Sequence, residues 1–127
     1  MKAKIALMIV AIAGALAACS TTMSESTPAH AQSGVLVDAK GMTLYTFDKD
    51  AANSGKSVCV AQCAKAWPPL MAAADAKSVG DYTVITRSDG EKQWAYKGKP
   101  LYTWVKDTKP GDTTGDGFRN LWRVARP

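Results

Sequence analysis

The sequence predicts a small α+β, mostly β domain: an antiparallel sheet built from two copies of a β-hairpin repeat, with one short helix near a cysteine pair. Three observations lead there. A ten-residue phrase occurs twice, as Gly41-Met-Thr-Leu-Tyr-Thr-Phe-Asp-Lys-Asp50 and as Gly98-Lys-Pro-Leu-Tyr-Thr-Trp-Val-Lys-Asp107, with six positions identical and a seventh keeping an aromatic ring. Such self-similarity marks an internal duplication. Around the copies, runs of β-branched and aromatic residues alternate with Gly- and Asp-rich turn signals, the pattern of antiparallel hairpins. Between the copies, one stretch rich in helix formers carries Cys59 and Cys63.

Residues 1–18 read as a lipoprotein signal peptide. Lys2 and Lys4 give a basic start, Ile5 to Ala18 form an apolar run too short to span a membrane as a mature helix, and Leu16-Ala-Ala-Cys19 places small residues before a cysteine. Cys19 is therefore the expected lipidation site. Its thiol takes a diacylglycerol, cleavage makes it the new N-terminus, and fatty chains such as palmitate hold it to a membrane. Ser20, rather than Asp, follows, which by Gram-negative sorting rules directs the protein to the outer membrane of the cell envelope, facing the periplasm. Residues 19–33 are mostly Ser, Thr, Ala, Gln and Pro, with one Glu and no Phe, Trp or Tyr, a composition expected to form a flexible tether. His30, the single histidine, is expected there as a solvated residue without neighbours to share a metal.

Residues 34–127 are expected to be a single domain, with repeats at 34–70 and 91–127. Val35-Leu-Val37, the turn Asp38-Ala-Lys-Gly41 and Thr43 to Phe47 read as a hairpin. Thr43, Tyr45 and Phe47 share parity, which sends both rings to one sheet face and Leu44 and Thr46 to the other. Gln93 to Tyr96, the turn Lys97 to Pro100, and Leu101 to Trp104 repeat the arrangement. Val58 to Trp67 is the helical candidate, stopped by Pro68-Pro69. Tyr82 to Thr86 is a strand by its β-branched content, Thr108 to Gly117 a loop, and Phe118 to Val124 a last strand carrying Trp122.

The repeated phrase reduces to Tyr-x-aromatic-x-x-Asp, realised as Tyr45, Phe47, Asp50 and as Tyr102, Trp104, Asp107. In these residues, in Cys59-Val-Ala-Gln-Cys63-Ala-Lys-Ala-Trp67-Pro-Pro-Leu70, and in the Gly-rich Lys109 to Gly117 running to Trp122, the chain resembles bacterial predicted lipoproteins defined by a Tyr-x-(Phe/Trp/Tyr)-x-x-Asp motif, a secreted repeat of unknown function. The resemblance runs from Gly34 to the C-terminus. It implies no activity, so no catalytic residue is carried over from it.

With Cys19 assigned to lipid, two thiols remain in an oxidising compartment, and Cys59 and Cys63 are expected to form a structural disulfide. A redox-active dithiol or a half-filled metal site are the other readings of Cys-x-x-x-Cys. Asp50 and Asp107 are expected to close the turns after their strands by accepting backbone N–H bonds two or so residues on, and to behave alike on mutation. Facing each other as general acid and base is the alternative. Asp107, Asp112 and Asp116 with their glycines offer oxygen-rich loop chemistry for Ca²⁺, although their spacing fits no EF-hand. Most aromatic residues are expected in the core, with Trp94 and Tyr96 the best candidates for a ligand surface. The formal net charge of +5 falls to +3 without Lys2 and Lys4, and no Lys/Arg run appears, which argues against nucleic acid. Arg119, Arg123 and Arg126 crowd the C-terminus and leave room for attraction to anionic surfaces. No Ser-His-Asp set or phosphate loop occurs and the proposed domain has no histidine, so neither catalysis nor a cofactor or metal is expected. The combined expectation is a membrane-anchored, non-enzymatic binding scaffold, with a redox or electron-transfer accessory using Cys59/Cys63 as the alternative.

Overall fold

The computed structural model describes residues 26–127; the expected signal peptide, Cys19 and the first part of the tether lie outside them. Strands β1 (His30–Gln32), β2 (Val35–Val37) and β3 (Tyr45–Phe47) precede helix α1 (Gln62–Ala66). Strands β4 (Met71–Ala72), β5 (Tyr82–Thr86), β6 (Lys92–Tyr96) and β7 (Lys99–Pro100) follow, and a 3-10 turn (Phe118–Asn120) leads into β8 (Trp122–Val124). All strand pairs are antiparallel: β1 with β2, β3 with β8, and β6 with β4, β5 and β7. The fold is mostly β, with one short helix beside the Cys59–Cys63 disulfide, whose Cα atoms are 5.1 Å apart. Among the described residues no helix is long and apolar enough to cross a membrane.

The two repeats are related through a central backbone pair. Tyr45 donates its N–H to the Tyr102 carbonyl at 2.8 Å and Tyr102 returns the bond at 2.9 Å. On one side of this pair the N–H groups of Leu36, Ala125 and Leu44 donate in turn to the carbonyls of Ala125, Leu44 and Leu36. On the other side Trp94, Leu70 and Leu101 make the same closed cycle. Leu44 therefore corresponds to Leu101, Leu36 to Trp94, and Leu70 to Ala125. The members come from different repeats: β8, the last strand of the second, pairs with β3 of the first, while β4, at the end of the first, pairs with β6 of the second. Each repeat completes the other's sheet.

Side-chain alternation divides the interior as strand parity requires. Tyr45 and Tyr102 enter one cluster with Cys59, Trp67, Trp104, Trp122 and Val124, whereas their neighbours Leu44 and Leu101 enter a second with Ala29, Leu36, Tyr82 and Ala125. Both faces of the central segments are thus buried.

Four expectations need correction. The tether does not extend to residue 33, because His30–Gln32 pair with Val35–Val37 through a Ser33-Gly34 turn whose φ angles of 51° and 81° suit a tight hairpin. Ala29 is buried, and His30 is an exposed strand residue. The helix is shorter than Val58 to Trp67: Ala61 at its start has φ 53°, and the groups before it are engaged elsewhere, Val58 N–H by Asp50 and the Cys59 carbonyl by Arg87. β2 has β1 as its strand partner and meets Thr43 only through a bridge at Val37. Finally, Phe118–Asn120 forms a 3-10 turn, and the strand begins at Trp122.

Candidate functional site

The repeated motif assembles one buried site by reciprocal exchange. The Tyr45 hydroxyl donates to Asp107 Oδ2 at 2.6 Å, and the Tyr102 hydroxyl donates to Asp50 Oδ2. Each tyrosine thus serves the aspartate of the opposite copy. The turn after each motif strand makes this possible: Asp50 N–H returns to the Phe47 carbonyl at 3.0 Å and Asp107 N–H to that of Trp104 at 3.1 Å, which swings each carboxylate inward. The second oxygen of each closes a loop. Asp50 Oδ1 accepts Val58 N–H at 2.7 Å, and Asp107 Oδ1 accepts both Thr114 N–H at 3.0 Å and the Thr114 hydroxyl at 2.6 Å. The expected local turn closure two residues on is therefore replaced by closure of longer loops, at separations of 8 and 7 residues. The two carboxylates address tyrosines rather than each other, so they do not form an acid–base pair.

Burial sets the proton affinities here. It raises the Asp50 pKa, against the opposing pull of the Tyr102 hydroxyl, the Val58 N–H and the Arg87 charge. Burial also raises the pKa of Tyr45 and of Tyr102, and the carboxylate each hydroxyl serves raises it further. The surroundings of the two halves differ. Near Tyr102, Ser57 Oγ lies 2.5 Å from the phenol oxygen, and buried Arg87 donates to Ser57 Oγ at 3.0 Å, to Gln93 Oε1 at 2.7 Å and to the Cys59 carbonyl. Near Tyr45, the phenol oxygen accepts Gly115 N–H at 3.3 Å. Sequence reasoning missed Arg87 because Arg87-Ser-Asp-Gly90 reads as an exposed turn; Ser88, Asp89 and Gly90 are exposed, but Arg87 itself is buried, and every hydrogen-bond partner of its guanidinium is an oxygen.

The aromatic positions of the motif build a stack across the repeats. Phe47 lies 4.3 Å from Trp122, Trp122 lies 3.8 Å from Trp67, and Trp67 lies 4.0 Å from Trp104, all nearly parallel. Tyr45 meets Trp67 edge-on, as Tyr102 meets Trp122. Gly115 is required beside this stack, since a Cβ there would come within 2.6 Å of the Trp67 ring. The outer edges of these rings, with Phe118 and the half-buried Cys63, line a groove of about 470 Å³.

The expected ligand surface at Trp94 and Tyr96 divides. Trp94 sits opposite Val84 on β5 and packs against the second cluster. Tyr96 lies 5.0 Å from Tyr82, carries Lys97 Nζ 5.3 Å above its ring, and lines a cleft of about 530 Å³. Lys97, Lys99, Arg123 and Arg126 line the same cleft, together with Asp48 and Asp116.

Asp112 serves its own turn, and Asp116 ties the loop to β8. Asp112 Oδ2 accepts Thr108 N–H at 2.9 Å, which with neighbouring donors depresses its pKa, and Asp116 Oδ1 accepts Val124 N–H at 3.1 Å. With Asp107 turned inward, the three carboxylates do not converge. Among the described residues no group of three or more His, Cys, Asp or Glu is placed to hold a metal ion.

No curated protein and no solved structure matches this chain. A family model does, and it matches twice, over residues 29–71 and 83–126, each span opening ahead of a motif copy, the first closing within β4 and the second just past β8, the strands that the halves exchange. On that coverage the chain belongs to the family described as a secreted repeat of unknown function.

Proposed function

We propose that this is a lipid-anchored protein of the bacterial cell envelope, held by Cys19 in the outer membrane facing the periplasm, whose domain is a non-catalytic binding scaffold. The observation that carries the second half is the reciprocal pairing of Tyr45 with Asp107 and of Tyr102 with Asp50. A general acid or base has to present its proton to a substrate. These carboxylates are spent on tyrosines and loop amides in the interior, and the accessible chemistry is the cleft beside Tyr96. Membership of a secreted family agrees with an envelope address. The anchor rests on Leu16-Ala-Ala-Cys19. Labelled palmitate should enter the wild-type protein, and Cys19→Ala should accumulate as an unlabelled precursor of higher mass. A Cys19→Ala protein that matures at the same site and stays with membranes as before would remove the anchor.

A redox accessory role has one observation in its favour: Cys63 opens onto the aromatic groove while Cys59 is buried. A disulfide that resists mild reductant in the folded protein sets that reading aside.

A further inference from the structure

We infer that the cleft beside Tyr96 binds a phosphate ester; the inference rests on the binding-scaffold reading above and gives it a ligand class. Four cations, Lys97, Lys99, Arg123 and Arg126, line this cleft with two carboxylates, Asp48 and Asp116. One pair neutralises itself: Arg123 holds Asp48 at 3.1 Å. Asp116 turns one oxygen to Val124 N–H. Lys97, Lys99 and Arg126 are exposed, and the one hydrogen bond of Arg126 among the described residues is to the Gly34 carbonyl at 3.3 Å. A surplus of positive charge thus lines a cavity of about 530 Å³ to which Tyr96 also contributes. Clustered guanidinium and ammonium donors are the groups that recognise phosphate oxygens, and Tyr96 beside them, which carries Lys97 over its ring, adds apolar contact for the alcohol portion of an ester.

The duplication supplies an internal control. Aligning the two phrases puts Met42 where the second copy has Lys99, and the matching backbone cycles put Pro68 where β8 has Arg123 and Met71 where the chain has Arg126. Three of the four cations therefore stand at corners that the other half builds with uncharged residues. Arg123 is answered by Asp48, which the other half replaces with Val105, so Lys99 and Arg126 are the charges without an acidic partner that the comparison isolates. Their gathering on one half, around one cavity, is the signature of a ligand rather than of architecture.

The phosphate can come from a soluble sugar phosphate or from a phospholipid headgroup, and two soluble probes separate these. The mature protein is titrated calorimetrically with glucose 6-phosphate, with glycerophosphoglycerol, which is a phospholipid headgroup without its chains, and with glucose. Binding of either ester, with glucose inert, is the expected result; glucose 6-phosphate alone identifies the soluble source and glycerophosphoglycerol alone the lipid source. Raising the salt from about 0.1 M to 1 M, which shortens the Debye length from about 10 Å to 3 Å, should weaken the binding. The double variant Lys99→Met/Arg126→Met installs the residues of the other half, so it should melt like wild type and bind at least about tenfold more weakly. The proposal fails if neither ester binds, if glucose binds as well as its phosphate, or if the folded double variant binds unchanged. Palmitate labelling at Cys19 reads the anchor separately, so a failed titration overturns the ligand class and leaves the anchor standing.

Discussion

Asp50 and Asp107 occupy equivalent corners, yet their surroundings give them different tolerances. Replacing either by Ala strands a tyrosine hydroxyl and a loop N–H, a loss of about 1 to 3 kcal/mol where those donors are buried. Asn keeps one acceptor oxygen for the loop N–H and turns an amide donor toward the tyrosine. At Asp50 the nearest alternative, Ser57 Oγ, already accepts Arg87 Nη1–H at 3.0 Å and Cys59 N–H at 3.2 Å, so the Tyr102 proton loses its acceptor and the buried Arg87 loses the carboxylate charge that opposes its own. At Asp107 the neighbouring group is the Gly115 N–H, another donor, so the Tyr45 proton also loses its acceptor, but no buried cation among the described residues is left unopposed there. Thermal melts should place Asp107→Asn nearest wild type, Asp50→Asn below it, and both Ala variants lowest. Equal melting of the two Asn variants would refute the asymmetry, and wild-type melting of the Ala variants would free the carboxylates from the fold altogether. The tyrosines carry a second expectation. Both have their pKa raised by burial and by a carboxylate, so the folded chain keeps two protons that the unfolded chain releases near the ordinary tyrosine value of about 10. The resulting stabilisation is complete below that pH and is lost as the pH rises beyond it. The melting temperature should fall steeply above pH about 10, and a Tyr45→Phe/Tyr102→Phe variant, though less stable, should show a shallower fall. An unchanged slope would mean that the phenols titrate alike in both states.

At the scale of elements, what the sequence shows is what local chemistry decides. Tyr82–Thr86, made wholly of β-branched and aromatic residues, and Lys92–Tyr96, which carries Trp94 and Tyr96, pair as strands because Arg87-Ser-Asp-Gly90 turns between them. The parity of Leu44 against Tyr45 and of Leu101 against Tyr102 foretells the two core faces, since alternation is a property of the backbone alone. β1 is not legible: His30-Ala31-Gln32 has no strand signal and is ordered by its pairing with β2. The helix is overread because Val58 and Cys59 have good neighbours for helix, while distant Asp50 and Arg87 claim their backbone groups. The candidate site divides the same way. The motif residues are legible as important through their repetition, but the crossing of Tyr45 to Asp107 is not, because nothing in either copy says which aspartate each tyrosine meets. The cleft draws on Thr46 and Asp48, on Tyr96, Lys97 and Lys99, and on Asp116 and Arg123 to Arg126, and only the crowding of Arg123 and Arg126 near the C-terminus hints at it.

Taken whole, the molecule is two incomplete sheets that finish each other. The first repeat has no strand of its own for the outer side of Tyr45–Phe47 and takes Trp122–Val124, while the second takes Met71–Ala72 against Lys92 and Gln93. The core follows the same rule, since Phe47 stacks on Trp122 and Trp104 on Trp67. Neither half can bury its own aromatic face, and an exposed face of that kind is costly at roughly 25 cal/mol per Å² of apolar surface. The covalent link between the halves, by contrast, runs through the exposed residues Ala73 to Asp75. A protease site placed in this link should therefore be cut without taking the molecule apart. The two fragments should elute together as one species of unchanged size under native conditions, melt in a single transition at lower temperature, and separate only in denaturant. The lower melting follows from the freed chain entropy, because cutting the link makes folding a bimolecular association that gains stability with concentration. Fragments that part in buffer, or a half that folds alone with a cooperative melt, would show that the exchange of strands and rings is an embellishment on two self-sufficient repeats.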